Sequence, residues 1–130
     1  MNKNIVIQPW LSIDNAVAAV TFYKNAFDAN ETYRLETPNG LVVRLSVHGA
    51  EFWVSGGISE NNNAEKKIVG GKTVLMILIT DDPDALFVKA LKAGATEVFP
   101  IGEEHGWRLG RIEDPFGLCW EIGHQLSDHF

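Results

Sequence analysis

Apolar residues along this chain cluster in short segments at some places and recur at helical spacing at others. The segments near residues 5–13 and 73–80 are short and apolar, which is typical of strands. Each is followed by a longer segment with apolar residues three or four positions apart, near residues 15–27 and 83–93. The pattern predicts a strand followed by a helix, and it predicts this pair twice.

Residues that favour helix ends stand at the boundaries of both predicted helices. Asp14 and Asp82 occupy positions where a side chain caps the first backbone N–H groups, and Pro83 suits the first helical turn. Gly94 follows the second helix, and Asp28 holds the corresponding place after the first. Because both residue types tolerate a left-handed backbone, they predict where the two helices end.

Three further strands are predicted after each helix, because short apolar segments alternate with turn-forming residues there. Pro38–Gly40 and His48–Ala50 are turn sequences in the first half, and Asp114–Gly117 is one in the second. The polar stretch over residues 56–71, rich in Gly and Asn, is interpreted as a flexible linker or lid. The six strands are expected near residues 30–36, 41–48, 51–55, 96–101, 106–113 and 118–123.

The two halves of the chain repeat one arrangement. Placing residue 8 over residue 74, an offset of 66 residues, aligns strand with strand and helix with helix over 22 positions without a gap. The chain is therefore predicted to form one domain, residues 1–130, with two βαβββ modules near 5–55 and 73–123. The predicted fold class is α+β.

The segment WRLGRIEDPFGLCWEIG, residues 107–123, carries one carboxylate, Glu121, in the middle of an apolar strand. Because a buried charge without a partner is strongly unfavourable, Glu121 is expected to face solvent, an arginine, a ligand or a metal ion. Arg108 and Arg111 on the preceding strand point to opposite faces, so one of them could pair with Glu121, and Arg44 is a third partner. An ion pair, ligand binding and acid–base catalysis all stay open for this residue.

Composition and charge exclude some functions. The formal net charge of −6 argues against nonspecific binding to nucleic acid, which needs a basic surface. No apolar run approaches the ~20 residues of a membrane-spanning helix, and the N-terminus lacks the features of a signal peptide. The single cysteine can form neither an internal disulfide nor a cysteine metal cluster. We therefore expect a cytoplasmic protein with no nucleic-acid or membrane partner.

Three segments together resemble one superfamily. WLSIDNAVAAVTFYKNAFDA, DALFVKALKAGATEV and WRLGRIEDPFGLCWEIG, in this order and with the internal repeat, are similar to the vicinal oxygen chelate superfamily of glyoxalases, bleomycin-resistance proteins and extradiol dioxygenases. Within it, the chain most resembles the small PhnB-like branch. The resemblance implies two curled half-barrels of mixed strands around a cleft, often in a homodimer. In metal-dependent members, four side chains, mostly His and Glu, reach into this cleft from the first and last strands of each module.

The four metal positions that the resemblance implies carry few metal donors in this chain. They fall on Gln8, Val74, Glu121 and either Trp53 or Glu51. Valine and tryptophan do not bind metal ions, and a glutamine amide is a weak ligand for zinc, nickel or iron. None of the four histidines matches a ligand position. We therefore expect no metal and no other cofactor.

The cleft is expected to bind a small molecule instead. Strand alternation sends Gln8 and Trp10 to one face of the first strand, and the same offset sends Val74 and Met76 to the cleft. Indole rings and apolar side chains with a few polar groups are typical of a small-molecule pocket. The leading hypothesis is a homodimeric, bleomycin-resistance-like protein that holds a partly apolar or aromatic molecule; the alternatives are a metal-dependent lyase, isomerase or dioxygenase, and a metal-free enzyme with Glu121 as acid or base. The expected cleft residues are Gln8, Trp10, Trp53, Val74, Met76, Arg108 and Glu121.

Overall fold

The computed structural model describes residues 6–57 and 74–126, and each half contains a strand, a helix and three further strands. This order confirms the α+β class and the predicted repetition of βαβββ. The first module contains β1 (Trp10–Asn15), α1 (Ala16–Phe27), β2 (Asn30–Thr37), β3 (Gly40–Val47) and β4 (Ala50–Gly57). The second contains β5 (Met76–Ile79), α2 (Pro83–Ala93), β6 (Thr96–Glu104), β7 (Trp107–Glu113) and β8 (Cys119–Gln125).

Each module forms its own four-stranded mixed sheet, in the order β1-β4-β3-β2 and β5-β8-β7-β6. The first and last strands of a module pair in parallel, and its other neighbours pair antiparallel. As a result, β1 and β5 lie at the edges of their sheets, and the two sheets are not joined by strand pairing. This is the predicted paired architecture. We call the boundary between the two modules the seam.

Several strand boundaries differ from the predictions, and two of them bear on the site. The first strand begins at Trp10 rather than near residue 5, since Pro9 has no N–H to donate to a sheet. The fourth strand continues to Gly57, so the first two residues of the predicted linker belong to the sheet. The rest of that linker, residues 58–71, lies outside the described residues.

The helix ends follow local side-chain chemistry, with one correction. Asn15, not Asp14, caps α1: its side-chain oxygen accepts a hydrogen bond of 3.0 Å from the backbone N–H of Ala18. Asp14 instead belongs to β1 and is exposed. The predicted cap of α2, Asp82, is confirmed, and Asp28 follows α1 in the left-handed conformation at φ 57°. Neither helix within the described segments is long and apolar enough to cross a membrane.

The length of α1 changes the internal repeat by one residue. The two N-caps, Asn15 and Asp82, are 67 residues apart, whereas the residues that end the helices, Asp28 and Gly94, are 66 apart. The extra residue lies in α1, which has 12 residues against 11 in α2. The offset of 66 residues therefore aligns the ends of the two helices. It misaligns the strands that precede them, β1 and β5, by one position.

Both helices pack on one side of the molecule. α1 contacts β1, β3 and β4, α2 contacts β6, β7 and β8, and the helices contact each other. The apolar core lies between this helical layer and the sheets, with Leu11 and Ile13 of β1 buried as alternation predicts. We call the opposite side of each sheet, turned away from the helices, its open face.

A buried carboxylate connects the two modules. Asp114, before the turn between β7 and β8, is only 3% exposed. It accepts hydrogen bonds from Tyr23 Oη of α1 (2.5 Å), Trp120 Nε1 (3.0 Å) and the backbone N–H groups of Phe116 and Leu118 (both 3.0 Å). Burial raises the pKa of Asp114, although the four donors act in the opposite direction, and burial raises the pKa of Tyr23 well above its usual value. Tyr23 therefore stays protonated and donates to Asp114 at neutral pH.

Candidate functional site

The open face of the first sheet carries an aromatic cluster, formed by Trp10, Tyr33 and Trp53. The rings of Trp10 and Trp53 are stacked, with centroids 5.8 Å apart and planes 21° apart. Tyr33 of β2 meets Trp53 edge-on at 5.6 Å. Trp10 is 54% exposed and Tyr33 is 45% exposed, so the cluster presents aromatic surface to solvent.

The position of these side chains follows from strand pairing. Trp10 lies directly beside Trp53 in the parallel pair of β1 and β4, and Arg44 of β3 lies opposite Trp53 on its other side. The Arg44 guanidinium lies over the Trp53 ring, 5.2 Å from its centroid. An irregularity between Glu31 and Tyr33 shifts the pairing of β2 and brings Tyr33 opposite Arg44.

A polar network holds the cluster in place. Gln8 Oε1 accepts a hydrogen bond of 2.8 Å from Trp53 Nε1, while Gln8 Nε2 donates one of 3.0 Å to Glu51 Oε1. The other oxygen of Glu51 accepts from Thr32 Oγ1 at 3.2 Å and lies 3.4 Å from Arg44 Nε. The structure thus places both Trp53 and Glu51 beside Gln8, so the two alternatives for the fourth cleft position share one face.

On the open face of the second sheet, aliphatic side chains lie beside an ion pair. Glu121 of β8 lies directly opposite Arg111 of β7 and accepts a hydrogen bond of 2.9 Å from its Nη2 atom. The Arg111 guanidinium also lies over the ring of Phe99, at 5.1 Å. Ile77 and Ile79 of β5, which are 60% and 64% exposed, lie on the same face. Of the partners considered for Glu121, the structure brings Arg111 to it.

The structure places Val74 and Met76, both predicted for the cleft, away from the open face of the second sheet. Met76 pairs with the buried Trp120 and packs against the core, whereas Ile77, one residue later, pairs with Glu121. Val74 precedes β5 and is exposed rather than part of the open face. The reason is the repeat offset, because a shift of one residue moves every side chain of a strand to the other face.

Arg108, also predicted for the cleft, lies away from the open face. This side chain points towards the helices, where its Nε and Nη2 atoms donate to the carboxylate of Asp84 in α2 at 2.7 and 2.6 Å. The guanidinium holds the pKa of Asp84 below its usual value. Arg108 and Arg111 do point to opposite faces, as expected, but Arg111 is the one on the open face.

A cavity of about 920 Å³ lies at the seam between the modules. Gln8 and Glu51 of the first module line this cavity, together with Ile77 and Ile79 of the second module. The cavity therefore reaches the polar network of one open face and the aliphatic surface of the other. It is also lined by residues of the core, namely Phe27, Phe52, Met76, Leu78, Leu86 and Trp120.

The donor set of the open faces does not fit a transition-metal ion. Across residues 6–57 and 74–126, no three His, Cys, Asp or Glu side chains lie close enough together to hold one. Gln8 uses both ends of its amide on Trp53 and Glu51, and both Glu51 oxygens already accept hydrogen bonds. On the second sheet, Ile77 stands beside Glu121, where alternation would place a further ligand.

The sequence matches the Glyoxalase/Bleomycin resistance protein/Dioxygenase superfamily over residues 7–122. This match spans most of the chain and both open faces, and the paired βαβββ architecture agrees with it. The chain belongs to this superfamily, as its three sequence segments indicate.

Relatives extend the likeness to proteins from other organisms. An uncharacterised protein of Mycobacterium bovis is 31% identical over 134 aligned positions, which cover 98% of this chain and 88% of that protein. The X-ray structure of an Arabidopsis thaliana gene product has a TM-score of 0.66 at 28% identity, covering 95% of this chain and 99% of that one. The fosfomycin resistance protein FosX from Listeria monocytogenes has a TM-score of 0.67 at 13% identity, covering 95% and 94% of the two chains. This last likeness concerns the fold alone.

Sequence reasoning missed two members of the site and misplaced a third. Tyr33 and Thr32 reach the open face together because of the irregularity in β2, and no local sequence feature marks it. Arg44 was considered as a partner of Glu121 but lies beside Glu51 instead. A cross-strand argument on β3 and β4 would have found this pair, provided that the pairing of the two strands was known.

Proposed function

We propose that this protein binds a small, planar, partly apolar molecule at the open face of its first sheet, without a resident metal ion. The observation that carries the proposal is the Trp10–Trp53 stack, held in orientation by Gln8. In the superfamily resemblance, Gln8 occupies a metal-ligand position. Here its amide fixes an indole ring instead, which supports recognition by stacking rather than by chelation.

The exposure of the cluster supports a ligand as its natural occupant. Large aromatic side chains gain free energy when they leave water, and aromatic rings pack favourably against one another in stacked or edge-to-face arrangements. Gln8 and Glu51 border the cluster with polar groups, and both also line the largely apolar cavity at the seam. That combination is typical of small-molecule sites.

The absence of a metal requirement can be measured directly. After incubation with zinc, nickel or iron(II) and exhaustive dialysis, we expect metal content well below one ion per chain, because the amide and carboxylate donors are occupied by each other. Elemental analysis by plasma mass spectrometry gives the ratio. One tightly held ion per chain, lost in the Gln8→Ala and Glu51→Ala variants, would favour the metal-dependent enzyme instead.

Ligand binding can be followed through the indole N–H signals of the four tryptophans in ¹H–¹⁵N NMR spectra. We expect the neutral probe 2-naphthylmethanol to shift the signals of Trp10 and Trp53, and Trp10→Ala to weaken its binding about fivefold or more by removing one stacking surface. Val17→Ala, which shortens an exposed apolar side chain on α1, is the matched control and should leave binding unchanged. Equal binding by the wild type and Trp10→Ala would contradict the proposal.

The PhnB-like branch, the homodimer and the cytoplasmic location stay predictions from the sequence. The acid–base role of Glu121 is not proposed, because its ion pair with Arg111 already satisfies the carboxylate.

A further inference from the structure

We propose that the planar molecule bound at this site carries an anionic group, a carboxylate or a phosphate, and that Arg44 is its anchor. This inference rests on the proposed function and adds the charge of the ligand. The net charge of −6 alone would suggest the opposite, a cationic ligand. The local contacts of the aromatic cluster favour an anionic ligand instead.

The place that a cation would take on the Trp53 ring is already filled. A cationic ligand gains most over the face of a tryptophan ring. One side of the Trp53 ring is stacked against Trp10, and the Arg44 guanidinium lies over the ring at 5.2 Å. An incoming cation at Trp53 would therefore meet the positive charge of Arg44.

The carboxylate of the site is likewise occupied. Glu51 accepts hydrogen bonds from Gln8 on one oxygen and from Thr32 on the other, and Arg44 Nε lies 3.4 Å from the second oxygen. A cationic ligand would have to break these contacts to pair with Glu51. The Glu51 carboxylate is thus already bonded to the side chains that hold the cluster.

Arg44 has capacity left for an anion. Its Nε atom donates to Thr32 Oγ1 at 2.9 Å, while its two terminal nitrogens have no hydrogen-bond acceptor among residues 6–57 and 74–126. The side chain is 32% exposed, so these nitrogens reach solvent beside the aromatic cluster. A guanidinium fixed through Nε presents its remaining donors as a fork, which matches a carboxylate or phosphate.

The second module repeats this construction. Arg44 of β3 lies opposite Trp53 of β4, and Arg111 of β7 lies opposite Glu121 of β8. Both arginines lie on the third strand of their module, over an aromatic ring and beside a glutamate of the last strand. Arg111 already donates from Nη2 to Glu121, and its Nε atom is buried without a partner among the described residues. Arg44, next to the stacked tryptophans, is therefore the residue that binds the anionic group.

Three naphthalene probes of similar shape and different charge test the inference by the same NMR titration: 2-naphthoate, 2-naphthylmethanol and 2-naphthylmethyl-trimethylammonium. We expect the naphthoate to bind about tenfold more tightly than the alcohol, as for a partly exposed charge-assisted hydrogen bond, and the cation to bind most weakly. Arg44→Gln should reduce naphthoate binding to that of the alcohol, and Arg44→Lys should restore part of the difference.

The matched control is Arg34→Gln. Arg34 lies on the neighbouring strand β2, pairs with Glu31 and Glu36, and sits opposite the buried Val43, away from the open face. Its variant should keep the order of the three probes. Binding of the alcohol with no preference for the naphthoate, or tightest binding of the cation, would overturn the inference and leave the proposed function standing. Failure of all three probes to bind would contradict both.

Discussion

Asp114→Ala is expected to lower the free energy of unfolding by about 3–5 kcal/mol, the range seen when one partner of a buried charged network is removed. The carboxylate is almost completely buried and satisfies four donors, among them Tyr23 Oη and Trp120 Nε1. Without it, these groups stay buried with no acceptor. Tyr23 belongs to α1 of the first module, so the substitution also removes a direct bond between the modules.

Equilibrium unfolding in urea, followed by circular dichroism, measures this effect. Tyr23→Phe removes one of the four donors and should cost about 1–3 kcal/mol, as for a hydrogen bond to a charged group. Asp14→Ala serves as a control at an exposed carboxylate and should change stability by less than about 0.5 kcal/mol. A variant without Asp114 as stable as the wild type would show that the network does not join the modules.

Gly56→Ala is expected to destabilise the protein by about 3 kcal/mol, at the upper end of the cost of overpacking. A Cβ atom at Gly56 would lie 1.6 Å from the backbone oxygen of Ile13 and 2.8 Å from its carbonyl carbon. The contact is with backbone atoms, so no side-chain rotation relieves it. The parallel pairing of β1 and β4 is irregular at this point, between Ser12 and Asn15, and the close approach depends on glycine.

The same substitution at Gly102, in β6, provides the comparison. A Cβ atom there meets nothing within 4 Å, so Gly102→Ala should be close to neutral. Because β1 also carries Trp10, Gly56→Ala is further expected to disturb the Trp10–Trp53 stack, visible as shifts of both indole N–H signals. If the alanine variants at both positions unfolded at the same urea concentration, the predicted clash would be absent.

The elements of the fold could be predicted because short segments determine them. Asp82 and Pro83 mark the start of α2 with their own side chains, and buried Leu11 and Ile13 follow from alternation within one strand. The N-cap of α1 could not be placed with the same certainty, because Asp14 and Asn15 are adjacent and both are good capping residues.

The structure places Met76 differently from the sequence alignment because face assignment depends on a single residue. A 66-residue offset fits the helix ends, yet β1 and β5 are related by 67, and the difference puts Met76 on the core side of its strand. Identity between the modules is too low to locate the extra residue of α1 by sequence.

The contacts that make the first open face a candidate binding site join segments that are distant in the sequence. Gln8, Trp10 and Trp53 were expected on one face by alternation, and the structure brings them into direct contact. The interactions of Arg44 and Tyr33 with Trp53 require the pairing of three strands, including an irregularity in β2. Alternation within one strand predicts which face a residue occupies, whereas its neighbour across the sheet depends on how the whole sheet is assembled.

A crystal structure of the protein grown with 2-naphthylmethanol would show directly where the planar molecule binds. We expect the naphthalene ring on the aromatic cluster of Trp10, Tyr33 and Trp53, with Gln8 still bonded to Trp53 Nε1 and no metal ion coordinated there. A ring found only among the core residues of the seam cavity, or a metal ion bound by Gln8 and Glu51, would contradict this expectation.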